Sequence, residues 1–480
     1  MTKKSVWKVK MRRIFACCLA LLLVFMCVGC IQAPVEESEW EGKEEFTAAD
    51  GMSESVADNS LKYEEYKGKI GLAFTQNAET DASCFAYESV GENEVKITAY
   101  LGGEDIVVIP ERIGEASVVA LGQAAFAGQS VRAVYVPDSI RDIEKGAFAG
   151  TSALVTLRVP FIGDGGENNY FGYIFGADSY EYHATKVPAT LEAVIVGAAD
   201  AVADNAFAGC KSLCAIVLPN TVQSVGKFAF YECSRLVYLD LGGAAAEVGD
   251  YAFGYCSSIF SLSLEGVLRV GFGALYSCNA IYSLTLSVVG EDAENNRFLG
   301  YIFGAESADH NGNFVPASLR ELKLVGCEEI PDRAFAGCAY IARFTIGEGV
   351  ESLGVRAFYA CRSLNSVTLP DSLNSIGDDA FFGCDNLESV DFGGGVESIG
   401  MQAFYGCRSL RSVEIPTDVT EIKPSTFALC ESIASVELNN VAVVGKDAFK
   451  GCVSLTPIDC SGIEVADGNA CLVKIPDESK

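Results

Sequence analysis

The sequence is poor in histidine, tryptophan and methionine, with 2, 2 and 5 of them in 480 residues. Two histidines leave little room for imidazole catalysis or a His-rich metal site. Positive charge is also short: 35 Lys and Arg face 64 Asp and Glu, a net charge of −29. That sign argues against nucleic acid as a partner, because neutralising phosphates takes a basic face. No G-x-S-x-G, H-E-x-x-H or Walker sequence is present. In so acidic a chain, carboxylate spacing alone nominates no glycosidase pair. No cofactor, metal or catalytic activity is expected.

What is present begins with an address. Residues 1–13 hold six bases and no acid, and an apolar run of fifteen residues follows from Ile14 to Val28. The run is short of the ~20 residues of a comfortable membrane span and fits a signal-peptide core. Val28-Gly29 before Cys30 resembles the lipobox of bacterial lipoproteins, which implies a lipid anchor on Cys30; an ordinary secretory signal is the alternative. Removing 1–29 leaves 29 bases against 64 acids, a net charge of −35. Residues 31–70 carry eleven acids and four bases, the composition of a solvated tether. The tail, Pro476 to Lys480, holds no sorting motif, so attachment is expected to rest on Cys30.

Half the residues are apolar, enough for a large core, and they repeat. One position recurs as Phe126, Phe148, Phe207, Phe230, Phe253, Leu275, Phe335, Phe358, Phe381, Phe404, Phe427 and Phe449. The spacing is 22 or 23 residues, apart from two intervals of 59 and 60. Ten of these positions are followed three residues later by Cys. In the unit from Phe358 to Phe381 the apolar skeleton is Phe358, Cys361, Leu364, Val367, Leu369, Leu373, Ile376 and Ala380. Val367 and Leu369 alternate as a strand does, and Pro370 ends it. One such coil cannot bury its own face, whereas stacked coils bury each other through parallel strands about 4.8 Å apart. The two long intervals hold G-Y-I-F-G-A (Gly172–Ala177 and Gly300–Ala305), and each reads as one coil plus a loop of roughly 36 residues. About fourteen coils would then span about 65 Å.

The unit A-F-x-x-C-x-S-L-x-S-V-x-L-P-x-S-L-x-S-I-G resembles the bacterial surface leucine-rich repeat of the BspA-like (treponemal) class over residues 84–460. The resemblance implies a repeat solenoid, a right-handed coil with a short parallel-strand concave sheet and mostly turns on the convex side. It also implies that the segment with Phe85-Ala86-Tyr87 and Val95–Tyr100 caps the first coil. The expected organisation is a signal over 1–29, an acidic flexible tether over 30–83, a cap over 84–121 and repeats over 122–460. Inserted loops lie near 160–187 and 288–315, and the tail covers 461–480. Family members are typically exported, surface-exposed and implicated in adhesion, with differing ligands.

Ten cysteines form one ladder position: Cys210, Cys233, Cys256, Cys278, Cys338, Cys361, Cys384, Cys407, Cys430 and Cys452. A ladder position points every side chain into the core, where Cys packs as a small hydrophobe, so free buried thiols are expected. Cys84, Cys214, Cys327, Cys460 and Cys471 remain open to an occasional bridge. His183 and His310, at similar places in the two inserts, read as exposed loop residues. Gly393-Gly394-Gly395 reads as a turn.

Residues flanking the central Val of L-x-x-V-x-L point out onto the concave face. Candidates for contacting a partner there are Tyr238, Asp240, Arg343, Thr345 and Thr368, followed by an acidic column of Asp391, Glu414, Glu437 and Asp459. Like charges stacked on a sheet are destabilising, so the column is read either as an attractor for a basic protein segment or Ca²⁺, or as a solubilising face. Tyr170, Tyr180, Tyr182 and Phe314 in the inserts are the second candidate surface, the alternative being that G-Y-I-F-G-A simply packs on the solenoid. The expected function is an exported, envelope-anchored, non-catalytic, adhesion-type binding protein. Its partners would be the membrane, through the N-terminal lipid, and an unidentified surface ligand. A structural scaffold of an envelope complex is the alternative, and an enzyme on extracellular polymers the remote one.

Overall fold

The computed structural model describes residues 62–68 and 78–469 and the backbone of 472–473. The signal, Cys30, most of the tether, Cys471 and most of the tail lie outside the described residues.

The apolar skeleton read from the unit Phe358–Phe381 is inward at every position, none of the eight more than 3% exposed. An ordinary coil contributes to three ladders, which run in register within each group of coils. The first is the main sheet. Ser366–Thr368 pairs in parallel with Arg343–Ile346 on one side and Ser389–Asp391 on the other. The second is a two-residue strand before the I-G step, as in Ser375–Ile376 between Ser352–Leu353 and Ser398–Ile399. The third is the aromatic position, where the Phe358 amide donates to the Ala380 carbonyl at 2.7 Å, and Phe381 to Ala403 likewise. The rings follow the backbone: Phe358, Phe381 and Phe404 stack at 5.1 Å with planes within 8° of parallel.

Main-sheet strands fall into groups of six, six, two and two, so the coil count exceeds the fourteen read from sequence. The additions are one rung at each end. Ile106–Val108 pairs with Ala133–Tyr135, placing the first rung inside the segment read as a cap. Leu472–Val473 pairs with Ile458–Asp459. The cap itself is an antiparallel hairpin, Phe85–Gly91 with Glu94–Tyr100, and Tyr100 extends the aromatic stack by lying on Phe126 at 5.4 Å. Ordered packing starts before Cys84: the Thr80 amide donates to the Val108 carbonyl at 2.9 Å. Earlier still, residues 62–68 form a helix, so that part of the stretch read as flexible tether is structured.

The ladder cysteines are free and inward. Eight donate their thiol to the carbonyl of the aromatic residue one coil earlier, such as Cys361 to Phe335 and Cys384 to Phe358, both at 3.2 Å. Burial pushes the thiols of Cys233 and Cys278 up to about 12. Cys84, Cys214, Cys327 and Cys460 are also free.

The inserts depart from the expected loops. Phe171–Phe175 and Leu299–Phe303 are 3₁₀ turns whose apolar side chains are buried, and they serve as rungs of the aromatic ladder. The Phe148 amide donates to Ile174 O, while Phe171 donates to Ala206 O. Leu275 donates to Ile302 O and Leu299 to Ala334 O in the same way. Ile174 and Ile302 thus stand where Ala380 stands in an ordinary coil.

His183 is a correction to the exposed-loop reading. It is 1% exposed, and its Nδ1 accepts from the Gly172 amide at 3.2 Å. Burial lowers its pKa to about 4, against the favourable carbonyls of Asn205 and Ala208. Its structural equivalent is Asn311 and not His310, which is exposed. Asn311 Oδ1 accepts from the Gly300 amide, and its Nδ2 donates to Ala334 O at 3.0 Å.

Candidate binding face

The outward residues of the main sheet change character along the solenoid. In the first half they are mostly half-buried, and Ala193, Ala215 and Arg158 are fully buried. The Arg158 guanidinium lies 4.6 Å from the Tyr135 ring centroid and donates to both carboxylate oxygens of Asp138 at 2.6 and 2.7 Å and to Val136 O at 2.6 Å. From Arg343 onward the pattern is open. Arg343, Thr345, Thr368, Asp391, Glu414, Glu437 and Asp459 are all exposed, and so are Ser366, Ser389, Ser412 and Ser435 beside them.

The acidic column is carried by this open half. Thr368 pairs with Asp391, and Glu414 with Glu437, each pair directly in register. Each coil contributes one carboxylate, at the strand spacing of about 4.8 Å. Two of the four also hold the turn that follows their strand: Asp391 accepts from the Gly393 amide at 3.2 Å and Asp459 from the Ser461 amide at 2.9 Å. Among the described residues, no three His, Cys, Asp or Glu side chains are gathered as a metal site. Arg343 pairs with Glu321 at 2.7 Å, an exposed pair worth little in water.

Tyr238 and Asp240 belong to the first half. Asp240 is half-buried and accepts from the Gly242 amide at 2.9 Å. The Tyr238 ring lies 5.3 Å from Tyr63 of the helical segment 62–68, so its exposure as a partner contact is reduced by the chain itself. In the inserts, Tyr170 is turned inward, donating to Ala177 O at 3.3 Å and packing on Tyr173 and His183. Tyr180, Tyr182 and Phe314 are exposed. Sequence reasoning named Tyr238 but missed Tyr63 and Tyr66, and Glu192, Cys214 and Phe260 beneath them. The available signal was two tyrosines three apart in an otherwise charged stretch.

The family described as "BspA type Leucine rich repeat region" matches in six copies over residues 112–171, 192–300 and 328–456. Those segments cover more than half of the sequence and coincide with the ladders above. The chain belongs to this family. The BspA-type chain is also similar to solved structures, at low identity and low TM-score. A leucine-rich repeat protein from Bacteroides ovatus is 21% identical, with 71% of this chain and 96% of that one covered and a TM-score of 0.33. A leucine rich cell surface protein from Faecalibacterium prausnitzii is 22% identical, with 76% and 95% covered and a TM-score of 0.29. The pneumococcal vaccine antigen PcpA is 17% identical, with 81% and 93% covered and a TM-score of 0.26. None of the curated proteins matches the chain.

Proposed function

We propose that the protein is an exported, lipid-anchored binding protein, without catalytic activity, that holds a basic segment of another protein on the open half of its main sheet. The observation that carries this reading is the acidic column on exposed strands, with Glu414 and Glu437 paired directly. Backbone pairing fixes those charges in a row that the long, flexible side chains of a Lys- and Arg-rich segment can meet. Bringing cations onto them removes a like-charge repulsion that the sheet otherwise bears. Membership of the BspA-type family supports export and exposure. The run Ile14–Val28 followed by Cys30 supports anchoring through a lipid on that cysteine, at the outer face of a membrane.

Two experiments test the two parts. Metabolic labelling with a clickable palmitate should mark the wild type and leave Cys30→Ala unmarked; an unlabelled wild type rejects the lipid anchor. For the binding part, the full chain should bind intact foreign cells or matrix proteins in a salt-sensitive manner. Co-purification with the producing cell's own envelope components alone would replace this reading with that of an envelope scaffold.

A further inference from the structure

The chain's own N-terminal segment lies on part of the first half of the main sheet, at Glu192, Cys214, Tyr238 and Phe260. In the helix 62–68, Tyr63 and Tyr66 are half-buried, while Lys62, Glu64, Glu65, Lys67 and Gly68 are exposed. Residues three apart share a helix face, and that face meets the sheet. Tyr63 lies 5.3 Å from the Tyr238 ring and 6.1 Å from Phe260. The Tyr66 hydroxyl donates to Glu192 Oε2 at 3.2 Å and interacts with the Cys214 thiol.

The sheet beneath carries a matching change of composition. The ladder position just before each strand runs Glu192, Cys214, Val237, Phe260, Tyr282, Arg320, Ala342, Asn365, Glu388 and Arg411, each amide from Cys214 to Val237 and from Tyr282 onward bonded to the carbonyl before it. Only four consecutive positions, Cys214 to Tyr282, are all apolar or aromatic. Cys214 and Val237 are buried there, whereas Asn365, Glu388 and Arg411 at the same position are exposed. The tether can reach. Thr80 is held on the first strand, and Tyr238 lies five strands on, about 24 Å away. The twelve residues from Gly68 to Thr80 extend to about 40 Å.

We propose that the apolar stretch formed by Cys214, Val237, Tyr238 and Phe260 is a docking site for a short helix bearing tyrosines at i and i+3, and that residues 62–68 fill it in cis. The segment masks the apolar half of the face and leaves the acidic half open. A partner that needs both halves must displace it against an effective concentration in the millimolar range, typical of a short linker. The consequence for partners rests on the reading of this sheet as the binding face; the intramolecular contact does not.

The test uses the full chain in detergent and needs no external partner. Labelling of Cys214 by a maleimide is followed by peptide mass spectrometry, with half-buried Cys327 as internal reference. Tyr63→Ala/Tyr66→Ala should speed labelling of Cys214 by about ten-fold or more, as expected for loss of a local cover, with Cys327 unchanged. A synthetic peptide of residues 58–70 should slow it again, and adding Tyr238→Ala/Phe260→Ala should abolish that protection. Equal Cys214 rates in wild type and the tyrosine double variant would overturn the proposal, as would a peptide that protects nothing. Neutralising Asp391, Glu414 and Glu437 should leave every rate unchanged, so failure here and failure of the partner-binding reading are separate results.

Discussion

His183 makes stability depend on pH in a way that its counterpart Asn311 does not. The folded protein holds this imidazole at a pKa of about 4, against 6.5 unperturbed, so the unfolded chain binds the proton more readily. The stability it contributes is fully present above pH 6.5 and is lost as pH falls through 4. A shift of that size corresponds to about 3 kcal/mol at full protonation, and about 2 kcal/mol is gone by pH 5. The cause is local. The ring is sealed between the Gly172 amide, which donates to Nδ1, and the next coil, and an imidazolium could not accept from that amide. His183→Asn installs the side chain that does this work in the second insert, where Asn311 takes the Gly300 amide and donates onward to Ala334 O. Urea unfolding followed by circular dichroism at pH 7.5, 6 and 5 should show the variant within about 1 kcal/mol of wild type at pH 7.5. At pH 5 it should be the more stable of the two by about 2 kcal/mol. Parallel losses in both proteins would refute the argument.

Other outcomes follow from the ladders. Phe381→Ala should cost about 3–5 kcal/mol in urea unfolding, because a fully buried ring stacked on both sides leaves a cavity. Phe381→Leu should cost clearly less, since Leu275 already fills that position in another coil. Gly377→Ala should destabilise by more than the ~1 kcal/mol typical of a point mutation, because a Cβ there would sit 2.6 Å from the Gly354 carbonyl carbon. Thiol titration of the denatured, unreduced chain should find the ten ladder cysteines free, and the native protein should leave them unreacted at neutral pH; near-zero free thiol on denaturation would contradict the ladder.

The repeat itself was legible because its period, its apolar skeleton and its cysteine position are all local patterns that stacking turns into core. The acidic column was legible for the same reason: a fixed offset from the central Val places a residue outward in every coil. Features without a repeat signature were not. Ile106–Val108 is a full rung, yet Tyr100 stands where the repeat has Phe, 26 residues before Phe126, so it read as cap. G-Y-I-F-G-A read as loop because its ladder residues are Ile and Phe in a 3₁₀ turn, in place of the Ala-Phe step. The match between His183 and Asn311 was hidden by the chance neighbour His310, one residue out of phase. Tyr63 and Tyr66 were hidden by the charge around them, since composition describes a segment's average while docking used only one of its faces.

On the proposed function, the open, acidic half of the main sheet holds a basic partner. The direct measurement is binding of the full chain to immobilised matrix proteins and to a polylysine surface, for wild type and for Asp391→Asn/Glu414→Gln/Glu437→Gln. The triple variant should lose at least about ten-fold in affinity, or ~1.4 kcal/mol, while unfolding in urea no more easily than wild type, since a like-charge repulsion is relieved, and the wild-type affinity should fall steeply with salt. Equal binding by the two proteins would contradict the proposed function and leave the column as a solubilising face.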